Sequence, residues 1–358
     1  MKQFLKFPIF VCITLLFVSC SDEDDTVIEE ELPTGAYVNG TFVVNEGNFG
    51  AGNSAISFID AEGNVSSSIF KNVNGFDLGD VAQSMLLHED AAYIVVNNSN
   101  TIEVVNRYTF EHIATVSSQL SNPRYMAVYN DKGYVSNWGD PLNTEDDFIA
   151  VVDLSTNEVV NTISVNEGPE AVKEISGKLY VAHKGGYGYG NTISIINLAS
   201  EAVSNTIEVA DIPAAMEEED GFLYVICSGR EEWTGEVTLG ALVKIDLATN
   251  QVAQSLSFAE GMHPSKLQED DDALFYTVGA DIYQTTTNAA SLPSSPIFSV
   301  GEQGVYGVYG FAVEDGKIYI GDAKDYNSNG DALVYSLDGT LLNTYAVGIA
   351  PNGFYFNN

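Results

Sequence analysis

Short apolar runs, each with an aromatic near its head, recur along the chain as TFVVNE (41–46), AYIVVN (92–97), GYVSNW (133–138), KLYVAH (178–183), FLYVIC (222–227), ALFYTV (273–278) and KIYIGD (317–322). Taking Phe42, Tyr93, Tyr134, Tyr180, Tyr224, Phe275 and Tyr319 as equivalent, the intervals are 51, 41, 46, 44, 51 and 44 residues. Runs of this length, rich in β-branched and aromatic residues and bounded by Asn, Asp and Gly, predict strands rather than helices.

Each run is followed by a second one ending in a turn, as in ISFIDAEG, IAVVDLSTNEVV, ISIINLASEAV and LVKIDLATNQVA, with a degenerate copy in DIYQTTTN. A third follows, as in NTISV, NTIEV, QSLSF, PIFSV and NTYAV, and then a segment often opened by proline, as in NPRYMAVYN, GPEAVKEIS, IPAAMEEED and HPSKLQEDD. Four strands per 41 to 51 residues, without helical periodicity, predict an all-β fold: a seven-bladed β-propeller of four-stranded antiparallel blades. The terminal APNGFYFNN has the character of an innermost strand without a blade, and TFVVNE lacks an innermost strand. Their pairing would close the ring and remove an open sheet edge.

The grammar P…YVxN…IxVID…TNxVxxTIxV resembles that of the YncE-like propellers, and VVNEGNFGAGNSAISFID with NGFDLGDVAQSM resembles YncE-like surface lipoproteins of Bacteroidota. That group includes cobalamin-binding propellers that work beside a TonB-dependent transporter. The resemblance covers nearly the whole chain after the leader. It implies a seven-bladed ring, a corrinoid as the suspected small-molecule ligand and a TonB-dependent outer-membrane transporter as partner.

Before the ring the pattern changes. Lys2 and Lys6 precede an apolar run from Phe7 to Val18, too short to span a bilayer, and Ser19-Cys20 has the form of a lipoprotein processing site. Residues 1–19 are therefore expected to be a lipoprotein signal peptide, 20–38 the lipidated Cys20 with an acidic tether (SDEDDTVIEEEL), and 39–358 the propeller. The acidic cluster after Cys20 resembles the Bacteroidota export signal, which implies the outer face of the outer membrane, with membrane contact only through the lipid anchor. Cys12 falls in the signal and Cys20 takes the lipid, so Cys227 remains alone and no intramolecular disulfide is expected. With 50 acidic against 14 basic residues and a net charge of -36, a nucleic-acid partner is excluded as an expectation.

If strands alternate in direction outward from the axis, the loops fall on two unlike faces. One carries short polar turns such as NDKG, ISGK, EEDG, STN and ATN. The other carries NEGNFGAGNS (45–54), NWGDPLNTEDD (137–147), HKGGYGYGN (183–191), CSGREEWTGEVTLG (227–240), DAKDYNSNGD (322–331) and the segments holding Phe76, Tyr125, Met262, Tyr306 and Tyr309. Candidate ligand-binding aromatics on that face are Phe49, Tyr125, Trp138, Tyr187, Tyr189, Trp233, Tyr306, Tyr309 and Tyr326, with Arg230 among them. Glycines between them let backbone approach a ligand. Gln83, Arg124, Glu170, Ser265 and Asn352, at the starts of innermost strands, are expected to line the channel mouth. Arg124, Lys184, Arg230, Lys266 and Lys324 are no more than those long loops should hold, so the cations alone do not point to an anionic ligand.

No catalytic constellation is visible. The histidines are His88, His112, His183 and His263, of which His183 and His263 fall on the elaborated face but in different blades, and neither a G-x-S-x-G elbow nor an H-E-x-x-H motif occurs. No cofactor is expected. DYNSNGD places Asp325, Asn327 and Asn329 at calcium-loop spacing, but Ser336 stands where the closing glutamate belongs, which favours a plain Asn-Gly turn. The expectation is a non-enzymatic surface protein that captures a ligand; the alternatives are a hydrolase or lyase using a metal- or carboxylate-activated water, and a protein- or glycan-binding adhesin.

Overall fold

A computed structural model describes residues 33–140 and 142–358; the signal peptide, Cys20 and most of the acidic segment lie outside the described residues. Residues 34–358 form one compact unit containing seven four-stranded antiparallel sheets. The innermost strands are Ala82–His88, Pro123–Tyr129, Pro169–Ile175, Pro213–Glu219, Leu267–Asp270, Gly310–Glu314 and Pro351–Asn357. Each packs against the next around a closed circuit. Blades are numbered here by their second strands, so that blade one holds Gly40–Asn45 and blade seven Lys317–Asp322.

The seven aromatics aligned from the sequence all occupy the third position of the second strand in their blades. Six are buried and Tyr319 is half-buried. The second and third strands carry unbroken buried runs because each blade is sandwiched between two neighbours. The apolar residues accordingly form seven clusters, one in each wedge between successive blades. Tyrosine hydroxyls cross these wedges: Tyr180 of blade four donates to Asn250 Oδ1 of blade five at 2.9 Å, and Tyr224 of blade five to the Thr287 carbonyl of blade six at 3.1 Å. The Asp or Asn ending each IxVID-like run folds the following turn onto itself, as when Asp246 Oδ1 accepts the N–H groups of Ala248 and Thr249, both at 2.9 Å.

Closure follows the expected route. Pro351–Asn357 pairs antiparallel with Gly40–Asn45, so the innermost strand of blade one comes from the other end of the chain. Asn357 fastens it, with Nδ2 donating to the carbonyls of Tyr37 and Arg107 and Oδ1 accepting from Arg107 Nε.

Two features depart from the sequence reading. A six-residue helix, Ile69–Asn74, stands where blade one has only a two-residue outermost strand, Val65–Ser66. Ile69 and Phe70 fill the wedge that a longer strand would have covered. The expected tether also ends before residue 38: Tyr37 donates from its N–H to the Tyr108 carbonyl at 3.0 Å and packs edge-on against Phe58 and Phe110.

Candidate functional site

Strand register fixes which residues meet at the channel mouth. Each innermost strand begins opposite the end of the second strand in its blade, in pairs such as Pro123 with Asn137, Pro169 with His183 and Pro213 with Cys227. Loops leaving second strands and segments entering innermost strands therefore share one face. Directly after these pairs the register slips in five blades, inserting Asn352, Gln83, Arg124–Tyr125, Glu170–Ala171 and Ala214 as surplus residues. A bulge re-aims side chains that a regular ladder would send between blades. Here it repeats around the mouth.

Arg124 and Glu170 meet in a bidentate pair, Nε to Oε2 and Nη2 to Oε1, both at 2.9 Å. Arg124 also lies 4.0 Å over the Trp138 ring, and Trp138 packs edge-on against Tyr187 at 5.7 Å. Burial pushes the Glu170 carboxyl up, but the charge and hydrogen bonds of Arg124, helped by Lys184 and Lys266, hold it below the ordinary carboxylate range. Gln83 Nε2 donates to the Tyr125 hydroxyl at 3.3 Å, and Asn352 Nδ2 to the carbonyls of Ala82 and Gln83 at 3.0 and 3.1 Å. Burial pushes the Tyr125 phenol above its ordinary range.

On the opposite side of the mouth Tyr309 donates to Glu46 and packs edge-on against Tyr326 at 5.2 Å. Glu46, which the sequence reading passed over, is raised by burial, against which the Tyr309 hydroxyl and Arg124 act. Arg230 binds Asp211 at 3.0 Å and Glu236 at 2.8 Å and sits 5.0 Å from the Tyr189 ring centre. Phe49, Trp233 and Tyr306 stand free in solvent, 82%, 76% and 97% exposed.

The candidates thus separate into a buried polar floor and an exposed crown. Of the seven exposed aromatics among the described residues, six rise from this face: Phe49, Tyr187, Tyr189, Trp233, Tyr306 and Tyr326. The seventh, Phe76, is turned onto Phe70 and onto His112 at the start of an outermost strand, and so leaves the rim where the sequence reading put it. The glycines of HKGGYGYGN serve mainly the loop itself. A side chain at Gly168 would strike Gly185 and Gly186, and one at Gly190 would meet the His183 carbonyl at 2.1 Å.

Below the crown a cavity of about 390 Å³ follows the axis. Ala214 and Ala215 of blade five form its wall where blades three and four present Tyr125 and Glu170. Lys184 and Lys266 also line it. In blade six the Ser265 N–H bonds the Thr277 carbonyl at 3.0 Å while Leu267 pairs with Tyr276. Lys266 is therefore the surplus residue there, one position beyond the Ser265 read from the sequence. Burial, then the charge of Lys184, lowers its amine to about 8.

The two histidines of this face are structural. His183 is buried with Nε2 2.8 Å from Ser194 Oγ, and burial lowers it to about 4; His263 Nδ1 lies 2.9 Å from the Ser228 carbonyl. Asp325 spends its oxygens on its own turn, accepting the N–H groups of Asn327 and Ser328 at 3.0 and 2.7 Å and the Ser328 hydroxyl at 3.1 Å. Cys227 is buried, and burial pushes its thiol up to about 12.

Fold and site together define a seven-bladed propeller with an elaborated, aromatic-rich face over a polar axial cavity. The chain belongs to the family described as a domain of unknown function, DUF5074, whose model matches residues 39–347. It is similar in fold to a quinonprotein alcohol dehydrogenase-like protein (BT1487) of Bacteroides thetaiotaomicron, with TM-score 0.68, 16% identity and coverage of 90% of this chain and 79% of that one. A functionally unknown protein from Desulfotomaculum acetoxidans aligns with TM-score 0.65 and 11% identity over 89% and 98%. BamB from Moraxella catarrhalis aligns with 0.54 and 14% over 91% and 88%. At these identities the likeness is one of fold. None of the curated proteins compared with the chain matches it.

Proposed function

We propose that the protein is a non-enzymatic ligand-capture lipoprotein, anchored through Cys20 at the outer membrane, facing the cell exterior, and handing its ligand to a TonB-dependent transporter. The single observation that carries the capture reading is the segregation of exposed aromatics: six of the seven among the described residues crown one face of the ring. Aromatic surface left in water is costly unless a partner covers it. The paired Arg124 and Glu170 hold the mouth in a fixed shape, and a preformed site suits binding.

The ligand proposed is a corrinoid, from the resemblance to the Bacteroidota propeller lipoproteins. The axial cavity, about 390 Å³, is near the lower end of the range that encloses a drug-sized molecule. A corrinoid is far heavier, so it would lie across the crown, stacking on rings such as Trp233 and Tyr306, with side groups reaching toward Gln83 and Asn352. Titration calorimetry of the whole chain against cobalamin, related corrinoids, haem and glycans tests this. Saturable heat with a corrinoid and no turnover is expected. No heat with any corrinoid would remove that ligand, and product formation would remove the non-enzymatic reading.

A further inference from the structure

Of the five cations on the elaborated face, three are matched: Arg124 by Glu170, Arg230 by Asp211 and Glu236, and Lys324 by Asp331. Lys184 and Lys266 have no ion-pair partner among the described residues, although the chain holds 50 carboxylates. Both line the same cavity, Lys184 from blade four and Lys266 from blade six. Blade five lies between them and lines the cavity with Ala214, Ala215, Met216, Glu217 and Ser228, of which only Glu217 is charged.

The carboxylates nearby are already engaged. Glu170 is held by Arg124, Glu217 on the cavity wall by Lys173, and Glu46 by the Tyr309 hydroxyl. Two ammonium groups facing one half-buried space repel each other and are poorly hydrated unless an anion joins them. We propose that the axial cavity is a subsite for a small oxyanionic group, tetrahedral or carboxylate, held between Lys184 and Lys266. The site requires no particular ligand on the crown.

The depressed amine of Lys266 gives the site a pH signature. Lys184, Arg124, Glu170, Glu46, Glu217 and the phenols of Tyr125 and Tyr355, both raised by burial, face or adjoin the cavity, and above about pH 8 Lys266 loses its charge, so anion affinity should fall. Calorimetry of the whole chain in low-chloride buffer, with sulfate and with acetate as probes, tests the proposal, since neither probe changes charge between pH 7 and 9.5. Saturable binding is expected, weakened about tenfold or more in Lys184→Gln and in Lys266→Gln, retained in the Lys→Arg variants, and weakened in the unaltered protein as pH passes 8. The tighter of the two probes identifies the class of oxyanion. Binding unchanged in the Gln variants, affinity flat from pH 7 to 9.5, or no saturable heat with either probe overturns the proposal. The pH series on the unaltered protein decides the matter if a variant does not fold. A positive result with sulfate or acetate and a negative one with corrinoids would retire the crown ligand while leaving this subsite.

Discussion

Arg124 and Glu170, 46 residues apart in sequence, close the floor of the channel mouth with two parallel hydrogen bonds of 2.9 Å. Both side chains are largely buried, and each occupies a bulge that turns it to the axis. Removing one partner strands the other as an uncompensated charge. Glu170→Gln or Arg124→Met should therefore each destabilise the protein by about 3–5 kcal/mol, while the double substitution should cost much less than their sum. Urea denaturation of the four proteins measures this. Additive losses would show that the two groups act independently.

His183 predicts an acid-sensitive contribution whose sign is fixed. Its folded value of about 4 lies below the unfolded value near 6.5, so the native state holds it neutral. The stability it contributes is complete above about pH 6.5 and is lost as pH falls toward 4. Blades one and three place Asn45 and Asn137 at the same strand position, each donating back to its own strand. Between pH 7 and pH 5 the unaltered protein should lose about 2 kcal/mol more than His183→Asn. Equal losses would mean that His183 is not held neutral.

The wedge tyrosines separate two otherwise similar hydrogen bonds. The Tyr180 hydroxyl reaches Asn250 alone, whereas the Thr287 carbonyl met by Tyr224 also accepts Lys244 Nζ at 3.0 Å. Tyr180→Phe should cost about 1 kcal/mol and Tyr224→Phe less, because Lys244 keeps the acceptor satisfied. Melting temperatures of the two variants give the order, and the reverse order would refute it.

Much of the fold was legible because a propeller repeats its own instructions. The aromatic at the third position of each second strand, the Asp or Asn at the end of the third strand in blades one to five and the closing APNGFYFNN all kept the places their pattern assigned. Strand alternation also put Trp138, Trp233 and Tyr306 on one face. What could not be read were relations between blades. Nothing in the spacing of Arg124 and Glu170 announces a pair, and the surplus residue that brings Lys266 to the channel beside Ser265 has no sequence marker. IFKNVN was missed as a helix because six residues are too few to show a period. Its presence in turn explains Phe76, which the helix carries toward His112 and away from the rim.

Closure of the ring makes the last strand indispensable. Pro351–Asn357 covers the edge of Gly40–Asn45, and Phe354 belongs to the core between blades seven and one. A chain ending at residue 350 should expose that edge and aggregate, whereas Asn357→Ala, which loses only the bonds to Tyr37 and Arg107, should fold with a loss of about 1–3 kcal/mol. Size-exclusion chromatography and urea denaturation distinguish the two. A soluble, cooperatively folded truncation would show that the strand pairing contributes little.

Lys266 should be a residue that the fold carries at a cost. Its folded value of about 8 lies below the unfolded value near 10.4, so below pH 8 both states are protonated and the native state bears the whole penalty of confining that charge beside Lys184. As pH rises from 8 to above 10 the unfolded chain still binds the proton that the folded one has released, and the penalty disappears. Lys266→Met should therefore be more stable than the unaltered protein by about 1–3 kcal/mol at pH 7, with the difference shrinking toward zero near pH 10.5. Comparing the two proteins at each pH cancels the ionisation of the many tyrosines, which destabilises both alike. If Lys266→Met proved less stable at pH 7, the lysine stem would be a packing element of the channel wall, and the case for a charge kept there to meet an anion would lose its energetic support.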